Sequence, residues 1–164
     1  MPVRLEKIAV TTIAEQMPEA VVLTDEKGKI VWVNLAFEKM CGYSRKNVRG
    51  KKPGDFLQGQ DTDQNTVRAF GAAVKKGKRH QADILNYHKN GCPYWARVSI
   101  TPLRGKSGAL EGFIAIERDV TKERNDMEEL RGEVVGLYST VLNEERSQGL
   151  DMDSEDPFYK LADL

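Results

Sequence analysis

Residues 84–103 read ILNYHKNGCPYWARVSITPL, with apolar and polar residues alternating on both sides of Asn90-Gly91. Asparagine and glycine both tolerate positive φ, so this pair predicts a tight turn that joins two antiparallel strands. Because side chains alternate along a strand, the second strand has two different faces. One face would carry Tyr94, Ala96, Val98 and Ile100, and the other would carry Trp95, Arg97, Ser99 and Thr101. A single hairpin is marginal in water, so we expect further strands and a helical cover.

The segments on either side supply both. Residues 20–34 (AVVLTDEKGKIVWVN) predict a second hairpin, and residues 110–120 (LEGFIAIERDV) predict a fifth strand. Between the two hairpins, residues 35–76 predict three or four helices, with Ser44 and Asp63 as N-caps. Strands at both ends with helices between them indicate an α+β domain, in which one face of a five-stranded antiparallel sheet is covered by helices.

Both ends of the chain predict helices outside this domain. An amphipathic N-terminal helix is predicted from the helical spacing of Leu5, Ile8, Ala9, Thr12 and Ile13. After Thr121, apolar residues recur at intervals of three and four, as on the seam of a coiled coil, at Met127, Leu130, Val134, Leu137 and Val141. The alternative for this segment is a single helix packed on its own domain. The predicted divisions are a cap helix (1–17), the α+β domain (18–121), a signalling or dimerisation helix (122–146) and an acidic linker or tail (147–164).

The composition disfavours several classes of protein. The 25 basic and 25 acidic residues give a net charge of +0, and no basic run is joined to exposed aromatics, so direct nucleic-acid binding is not expected. The chain shows neither an apolar run of transmembrane length nor a signal peptide, so we expect a cytoplasmic protein without a membrane partner. Cys41 and Cys92 are expected to be reduced structural thiols, and with His80 and His88 they lack metal-ligand spacing. No catalytic motif is found, so no enzymatic activity is expected.

Three stretches together resemble the PAS family with its C-terminal PAC motif. They are residues 20–44, residues 84–103 and FIAIERDVTKE at 113–123. Within that family, the chain is similar to the LOV branch of flavin photoreceptors through FLQG at 56–59, DTD at 61–63 and NY at 86–87. The resemblance implies a sensory or regulatory module. Such a module would form a homodimer and pass a change through its C-terminal helix to a downstream signalling domain or protein.

The LOV resemblance also implies which chemistry is missing. The photoactive cysteine of that branch falls on Gly54 or Pro53, so a cysteine–flavin adduct is not expected. Its two phosphate-binding arginines fall on Asp55 and Gly71, which disfavours flavin mononucleotide. An FAD-type flavin site, as in redox-sensing PAS domains, remains open, and so does a cavity without cofactor. Haem is disfavoured because the long helix, TVRAFGAAVKKGK, has no histidine to serve as its axial ligand.

Four candidate residues would line the cavity between sheet and helices: Gln58, Asn86, Ala96 and Glu117. The LOV branch also has Gln and Asn at the first two positions, but it has Asn and Gln where this chain has Ala96 and Glu117. Glu117 has two interpretations: a polar contact for a ligand or a pH-sensitive switch, or a strand-end side chain that reaches water. We favour the second, because an unpaired buried charge is costly. The opposite face of the sheet would carry Trp95, Ile114 and Ile116, which a second subunit and the N-terminal helix would cover.

These observations leave several functions open. The preferred hypothesis is a sensory module that dimerises and relays a change in its cavity or interface through the helix after Thr121. A flavin-binding redox or light sensor without adduct chemistry is one alternative. Another is the N-terminal sensor of a diguanylate cyclase or histidine kinase. A pure interaction module, whose cavity is filled by Phe56, Phe70 and Phe113, is a further alternative.

Overall fold

In the computed structural model, which describes residues 11–147, five strands form one antiparallel sheet. The strands are β1 (Ala20–Thr24), β2 (Ile30–Val33), β3 (His80–Tyr87), β4 (Pro93–Arg104) and β5 (Leu110–Asp119). Their order across the sheet is β2-β1-β5-β4-β3, so the last strand lies at the centre, between β1 and β4. The predicted five-stranded antiparallel sheet is confirmed.

Six helices accompany the sheet in the described part of the chain. They are α1 (11–16), α2 (Leu35–Cys41), α3 (Arg45–Val48), α4 (Gly54–Leu57), α5 (Gln64–Lys75) and α6 (Thr121–Ser147). Helices α2 to α5 lie between the two hairpins, which confirms the predicted order. Asp63 caps α5 as predicted, since its carboxylate accepts a hydrogen bond of 2.7 Å from the backbone N–H of Thr66.

The two ends of the chain are described only in part. Helix α6 confirms the helix predicted after Thr121, and the chain divides at this residue into two units. In α1, Ile13 is exposed, so the apolar face predicted there is not buried at this residue. The predicted positions Leu5, Ile8 and Ala9, and residues 148–164 of the predicted tail, lie outside the described residues. Over residues 11–147, none of the helices has both the length and the apolar character needed to cross a membrane.

The central hairpin has the predicted strands but not the predicted turn. Strands β3 and β4 pair antiparallel, with Leu85 opposite Trp95. The connection is a loop over residues 88–92, closed by a hydrogen bond of 2.9 Å from His88 N–H to the Cys92 carbonyl. Only Gly91 has positive φ, at 86°, so the prediction of positive φ at Asn90 is wrong. The longer loop needs a left-handed residue only at its end, where glycine serves.

Ser44 takes the predicted N-cap position of α3, with the extended backbone conformation of an N-cap, but its side chain does not make the hydrogen bond of a cap. Instead, the Glu38 carboxylate, which follows from the preceding helix α2, accepts a hydrogen bond from the Arg45 N–H. A carboxylate close to a helix start interacts favourably with the unpaired N–H groups there. The start of α3 is therefore stabilised by a side chain of α2.

The inner face of the sheet forms the core, as the period of two predicts. All four residues assigned to this face of β4 are buried, namely Tyr94, Ala96, Val98 and Ile100. They pack in one cluster with Phe37 of α2 and Leu57 of α4. The residues assigned to the other face of β4 are partly exposed. The two-faced interpretation of this strand is confirmed.

The buried Asn34, between β2 and α2, joins several elements. Its Oδ1 accepts hydrogen bonds from Val21 N–H at 2.9 Å and from Phe37 N–H at 3.0 Å. Its Nδ2 donates to the carbonyls of Ala14 and Glu19, both at 2.9 Å. The amide therefore caps α2, contacts β1 and binds both α1, at Ala14, and the segment before β1, at Glu19. All four hydrogen-bonding positions of this amide are satisfied.

Replacing Asn34 with alanine is expected to lower the free energy of unfolding by about 3 kcal/mol, because buried backbone groups lose their partner. Urea unfolding followed by circular dichroism measures this loss. The matched control is Asn47→Ala on the exposed side of α3, which should change stability by less than about 0.5 kcal/mol. Equal losses at the two positions would contradict the role of the Asn34 amide.

Candidate functional site

The sheet brings three of the four candidate cavity residues to its inner face. Asn86 on β3, Ala96 on β4 and Glu117 on β5 are all buried. Asn86 is paired with Tyr94, the inward neighbour of Ala96 along β4. Glu117 is paired with Ala20 on one side and with Val98 on the other. These polar groups therefore face the helices rather than solvent.

The fourth candidate, Gln58, follows α4 and is only half-buried. Its side chain folds back over Gly54, where an added Cβ would lie 2.9 Å from Gln58 Nε2. A contact this short would force the glutamine to move. Gln58 therefore lies against the residue on which the photoactive cysteine of the LOV branch was placed.

The residues present do not fit a flavin phosphate held in the LOV manner. Asp55 is an exposed carboxylate that accepts a hydrogen bond from the Lys52 N–H at 3.1 Å. Gly71 faces open space and has no side chain to offer. An anion and a glycine provide no positive charge for a phosphate group. Ala96, at the position predicted to face a flavin ring, has no hydrogen-bonding side chain.

Glu117 is buried, with 3% of its surface exposed, so the favoured interpretation that it reaches water is wrong. Its Oε2 has no hydrogen-bond partner among the described residues. Burial raises the pKa of Glu117 to about 7, since the ionised form loses its hydration. The carboxyl group therefore changes its charge near neutral pH.

Other ionisable groups surround this carboxyl group. Burial raises the pKa of the Cys41 thiol to about 11, and negative charge on Glu117 raises it further. Burial also raises the pKa of Tyr94, again with a contribution from Glu117, while the Asn86 amide opposes the shift. Both groups are therefore neutral near pH 7. The Cys41 thiol donates to the Phe37 carbonyl at 3.1 Å, which fits the structural role predicted for it.

A cleft of about 680 Å³ lies beside this cluster. Its walls are residues 15–20, part of α2, His88 and residues 117–119. Glu117 is the one candidate cavity residue among the lining residues of this cleft. The His88 ring stacks on the Tyr94 ring, with centroids 4.2 Å apart. Sequence reasoning missed this cleft, because no local pattern brings these four segments together.

The outer face of the sheet carries the residues predicted for an interface. Trp95 and Ile114 are partly exposed, and Ile116 is 38% exposed. In α6, the five residues predicted to form a seam, Met127, Leu130, Val134, Leu137 and Val141, are 49–70% exposed. Such a row of apolar side chains is typical of a helix that pairs with another helix. Its pairing stays a prediction.

The start of α6 is tied to β4, a link that sequence reasoning also missed. The Trp95 N–H donates a hydrogen bond of 2.8 Å to Thr121 Oγ1, and the Val120 N–H donates one of 2.8 Å to the Trp95 carbonyl. Asp119 Oδ1 accepts a hydrogen bond of 2.9 Å from the Thr121 N–H. An aspartate two residues before the first helical residue is a sequence signal for a cap of this kind.

Comparison with known families is consistent with this architecture. The family model of the PAS domain matches residues 18–122. The chain belongs to the PAS domain family, in which it is similar to the LOV branch, and it is a sensory domain of the signalling class. Over residues 11–147, no group of three or more His, Cys, Asp or Glu side chains is placed to hold a metal ion.

Similar curated proteins are blue-light-activated histidine kinases. One from Brucella anthropi is 33% identical over 126 residues, which cover 75% of this chain and 26% of the relative. One from Brucella canis is 39% identical over 104 residues, which cover 63% of this chain and 21% of the relative. The chain thus spans about a quarter of the length of the curated relatives that it matches.

Similar solved structures include LOV domains. The LOV domain from the Erythrobacter litoralis EL346 blue-light activated histidine kinase has a TM-score of 0.61 at 28% identity, over 65% of this chain and 99% of that one. An RNA-binding light-oxygen-voltage receptor has a TM-score of 0.73 at 25% identity, over 82% of this chain and 39% of that one. The PAS domain of the fruit-fly ELK potassium channel, with a TM-score of 0.65 at 23% identity, shares the fold. Because one neighbour binds RNA, the expectation of no nucleic-acid partner stays untested.

Replacing Glu117 with glutamine is expected to stabilise the domain more at high pH than at low pH. The folded-state pKa of about 7 lies above the ordinary value of 4.5, so the favourable contribution of the protonated group is lost as pH rises between these values. Glutamine shows no such loss. The stability gained by the variant should therefore grow by about 3 kcal/mol between about pH 5 and about pH 8.

Urea unfolding of both proteins at the two pH values measures this difference. The control is Glu111→Gln, which makes the same chemical change at an exposed position of β5. Its effect should be the same at both pH values within about 0.5 kcal/mol. A pH-independent effect of Glu117→Gln would show that the carboxyl group is not buried in the protonated form.

Proposed function

We propose that this chain is the sensory input segment of a longer signalling protein, that it works as a homodimer, and that it has no catalytic activity of its own. The exposed apolar row on α6, a helix of 27 residues, carries this proposal. A helix with such a row needs a partner surface, and a second copy of the same helix supplies one in register.

The hydrogen bonds at Trp95 give a route from the sheet to this helix. Trp95 and Thr121 are joined directly, so a shift of β4 against β5 moves the first turn of α6. The domain would exist in two packings of the sheet, and a signal would favour one of them. Trp95, Ile114 and Ile116 on the outer face would form the second part of the dimer interface.

The relatives support a histidine kinase as the output of this sensor. Proteins named blue-light-activated histidine kinases match three quarters or less of this chain and extend well beyond it. A diguanylate cyclase remains the alternative output. For the whole protein we propose a cytoplasmic location, since a histidine kinase passes its phosphoryl group on inside the cell.

Two other interpretations of the cavity, a bound flavin and a filled core without a ligand, have less support. A flavin held without adduct chemistry is favoured by Gln58 and Asn86, which the LOV branch shares, and opposed by Asp55, Ala96 and Glu117. A filled, ligand-free core is favoured by the aromatic residues Phe56, Phe70 and Phe113, of which Phe113 is buried and the other two pack on the core.

Val134→Glu is expected to shift the dimer toward monomer, because it places a carboxylate in the middle of the predicted seam. Sedimentation velocity over a range of protein concentrations measures this shift, with a loss of affinity of about tenfold or more. The matched control is Val135→Glu on the neighbouring residue, which is 48% exposed but lies off the seam. A monomeric wild type, or equal effects of the two variants, would contradict the proposed pairing.

Blue light is expected to leave the absorption spectrum of the purified protein unchanged, because Gly54 offers no sulfur for a covalent adduct with flavin. The measurement is an absorption spectrum before and after illumination, with mass spectrometry of any molecule that acid releases. The Erythrobacter litoralis LOV domain serves as the comparison protein. Reversible bleaching of a flavin band would overturn both the missing adduct and the poor fit to flavin.

A further inference from the structure

The middle of α6 has the weakest intrinsic preference for helix. Residues 132–140 read GEVVGLYST, in which only Glu133 and Leu137 are of residue types that favour helices strongly. Glycine loses the most backbone freedom in a helix, and valine, tyrosine, serine and threonine also rank low. The flanking residues, TKERNDMEELR at 121–131 and VLNEERS at 141–147, are richer in strong helix formers. We call residues 132–140 the weak section of α6.

Two hydroxyl groups weaken the same stretch further. Ser139 Oγ donates a hydrogen bond of 2.9 Å to the Val135 carbonyl, and Thr140 Oγ1 donates one of 3.0 Å to the Gly136 carbonyl. In a helix these carbonyls accept from backbone N–H groups, so the side chains compete with the backbone for them. Bonding of this kind to the residue four positions earlier destabilises a helix slightly and often bends it.

A single copy of the chain gives the weak section little support. Each of its residues is exposed except Tyr138, which is half-buried. A Cβ added at Gly132 or Gly136 would have no described atom within 4 Å, apart from its chain neighbours and the adjacent helix backbone. Close packing within one copy therefore does not require these glycines. Because most helical stability in proteins comes from the packing of an apolar face, these turns need a partner surface.

The glycines also lie away from the predicted seam. Gly132 and Gly136 lie two residues before and two residues after Val134, and two residues turn an α-helix by about 200°. Both positions are therefore on the far side of the helix from a partner that packs on Val134. Close approach of the paired helix does not require glycine there. The effect that remains is on the helix itself, whose stability both glycines lower.

We propose that the weak section folds and unfolds with pairing: it is helical while two copies pair along the seam, and it unfolds locally when they separate. The first turn of α6 is held independently, because Thr121 is hydrogen-bonded to Trp95 and Asp119. Val134 and Leu137 of the seam lie inside the weak section. Pairing therefore acts directly on the turns that unfold without it.

This inference deepens the proposed function, since it rests on the pairing of α6 and adds a regulatory step to it. A helix passes a movement of its first turn onward only while its later turns are intact. Local unfolding of residues 132–140 therefore disconnects Thr121 from the residues that follow the weak section. Helices that must fold as they pair also bind less tightly than preformed helices. The glycines thus keep the dimer weak enough for a signal to change its population.

The test is amide hydrogen exchange of the full chain, followed by mass spectrometry at protein concentrations below and above the dissociation constant of the dimer. Below that constant, residues 132–140 should exchange at least about tenfold faster than above it, because their helical hydrogen bonds open. Residues 121–131 should show a smaller difference, since Thr121 stays bound to Trp95. Sedimentation velocity measures the affinity of the dimer in parallel.

A double variant, Gly132→Ala with Gly136→Ala, should stabilise the weak section. Below its own dissociation constant, residues 132–140 should exchange about tenfold more slowly than in the wild type, and the dimer should bind at least about tenfold more tightly. The matched control is Glu129→Ala, seven residues before Gly136 and on the same side of the helix. Glutamate and alanine differ little in helix propensity, so exchange and affinity should change by less than about twofold.

The outcomes distinguish this inference from the proposed function. Weaker pairing of the alanine variant would show that the glycines provide close contact between helices, and would overturn the inference. Exchange of residues 132–140 that changes neither on dilution nor in the alanine variant would also overturn it. Both results, in a chain that dimerises through Val134, leave the proposed function standing. A wild type that is monomeric at every concentration would instead overturn the proposed function and the dependence on pairing together.

Discussion

The buried amide of Asn34 is the contact on which the arrangement of the first half of the domain depends. It gives one hydrogen bond to each end of the segment between Ala14 and Glu19, and it accepts one from β1 and one from α2. A fully satisfied buried amide specifies one arrangement, because any displacement leaves a polar group unpaired in the core. The segment that it holds is also one wall of the cleft beside Glu117. Both the stability of the fold and the shape of the cleft therefore depend on the Asn34 side chain.

Glu117 is the opposite case, a buried polar group left incomplete. Asn34 has a partner for every hydrogen-bonding position, whereas the Glu117 Oε2 has none among the described residues. An ionised carboxyl group in this place lowers the stability of the folded state, and the protein avoids part of that cost by keeping the group protonated below its raised pKa. Local rules of folding are most often broken where a protein functions, since a site must offer unsatisfied groups to its ligand. The end of β5, rather than the segment around Asn34, is therefore where the domain departs from the usual pairing of buried polar groups.

The central strand β5 connects the core of the domain with helix α6. It pairs with β1 on one side and β4 on the other, and both neighbours contact residues near its end. Glu117 is buried near this end, while Val120 and Thr121 are hydrogen-bonded to Trp95 where α6 begins. Backbone hydrogen bonds transmit small displacements well, because a strand paired on both sides moves with its neighbours. The buried carboxyl group of Glu117 is therefore only a few residues along the chain from the start of α6.

The fold and the faces of its strands followed from the sequence, because alternation along β4 and β5 and a local signal such as the Asp63 cap depend on residues only a few positions apart. The same local reasoning failed at Asn90, where a longer loop replaced the predicted turn. At Ser44 it gave the right cap position, but the carboxylate of Glu38 from another helix accepts the hydrogen bond in place of the serine side chain. The tertiary structure alone decided that Asn34 joins segments 13 to 20 residues away, that Glu117 is buried, and that a cleft opens beside it. Burial and pKa depend on which distant elements cover a side chain. Here β1, β4 and α2 meet around Glu117 only once the chain has folded.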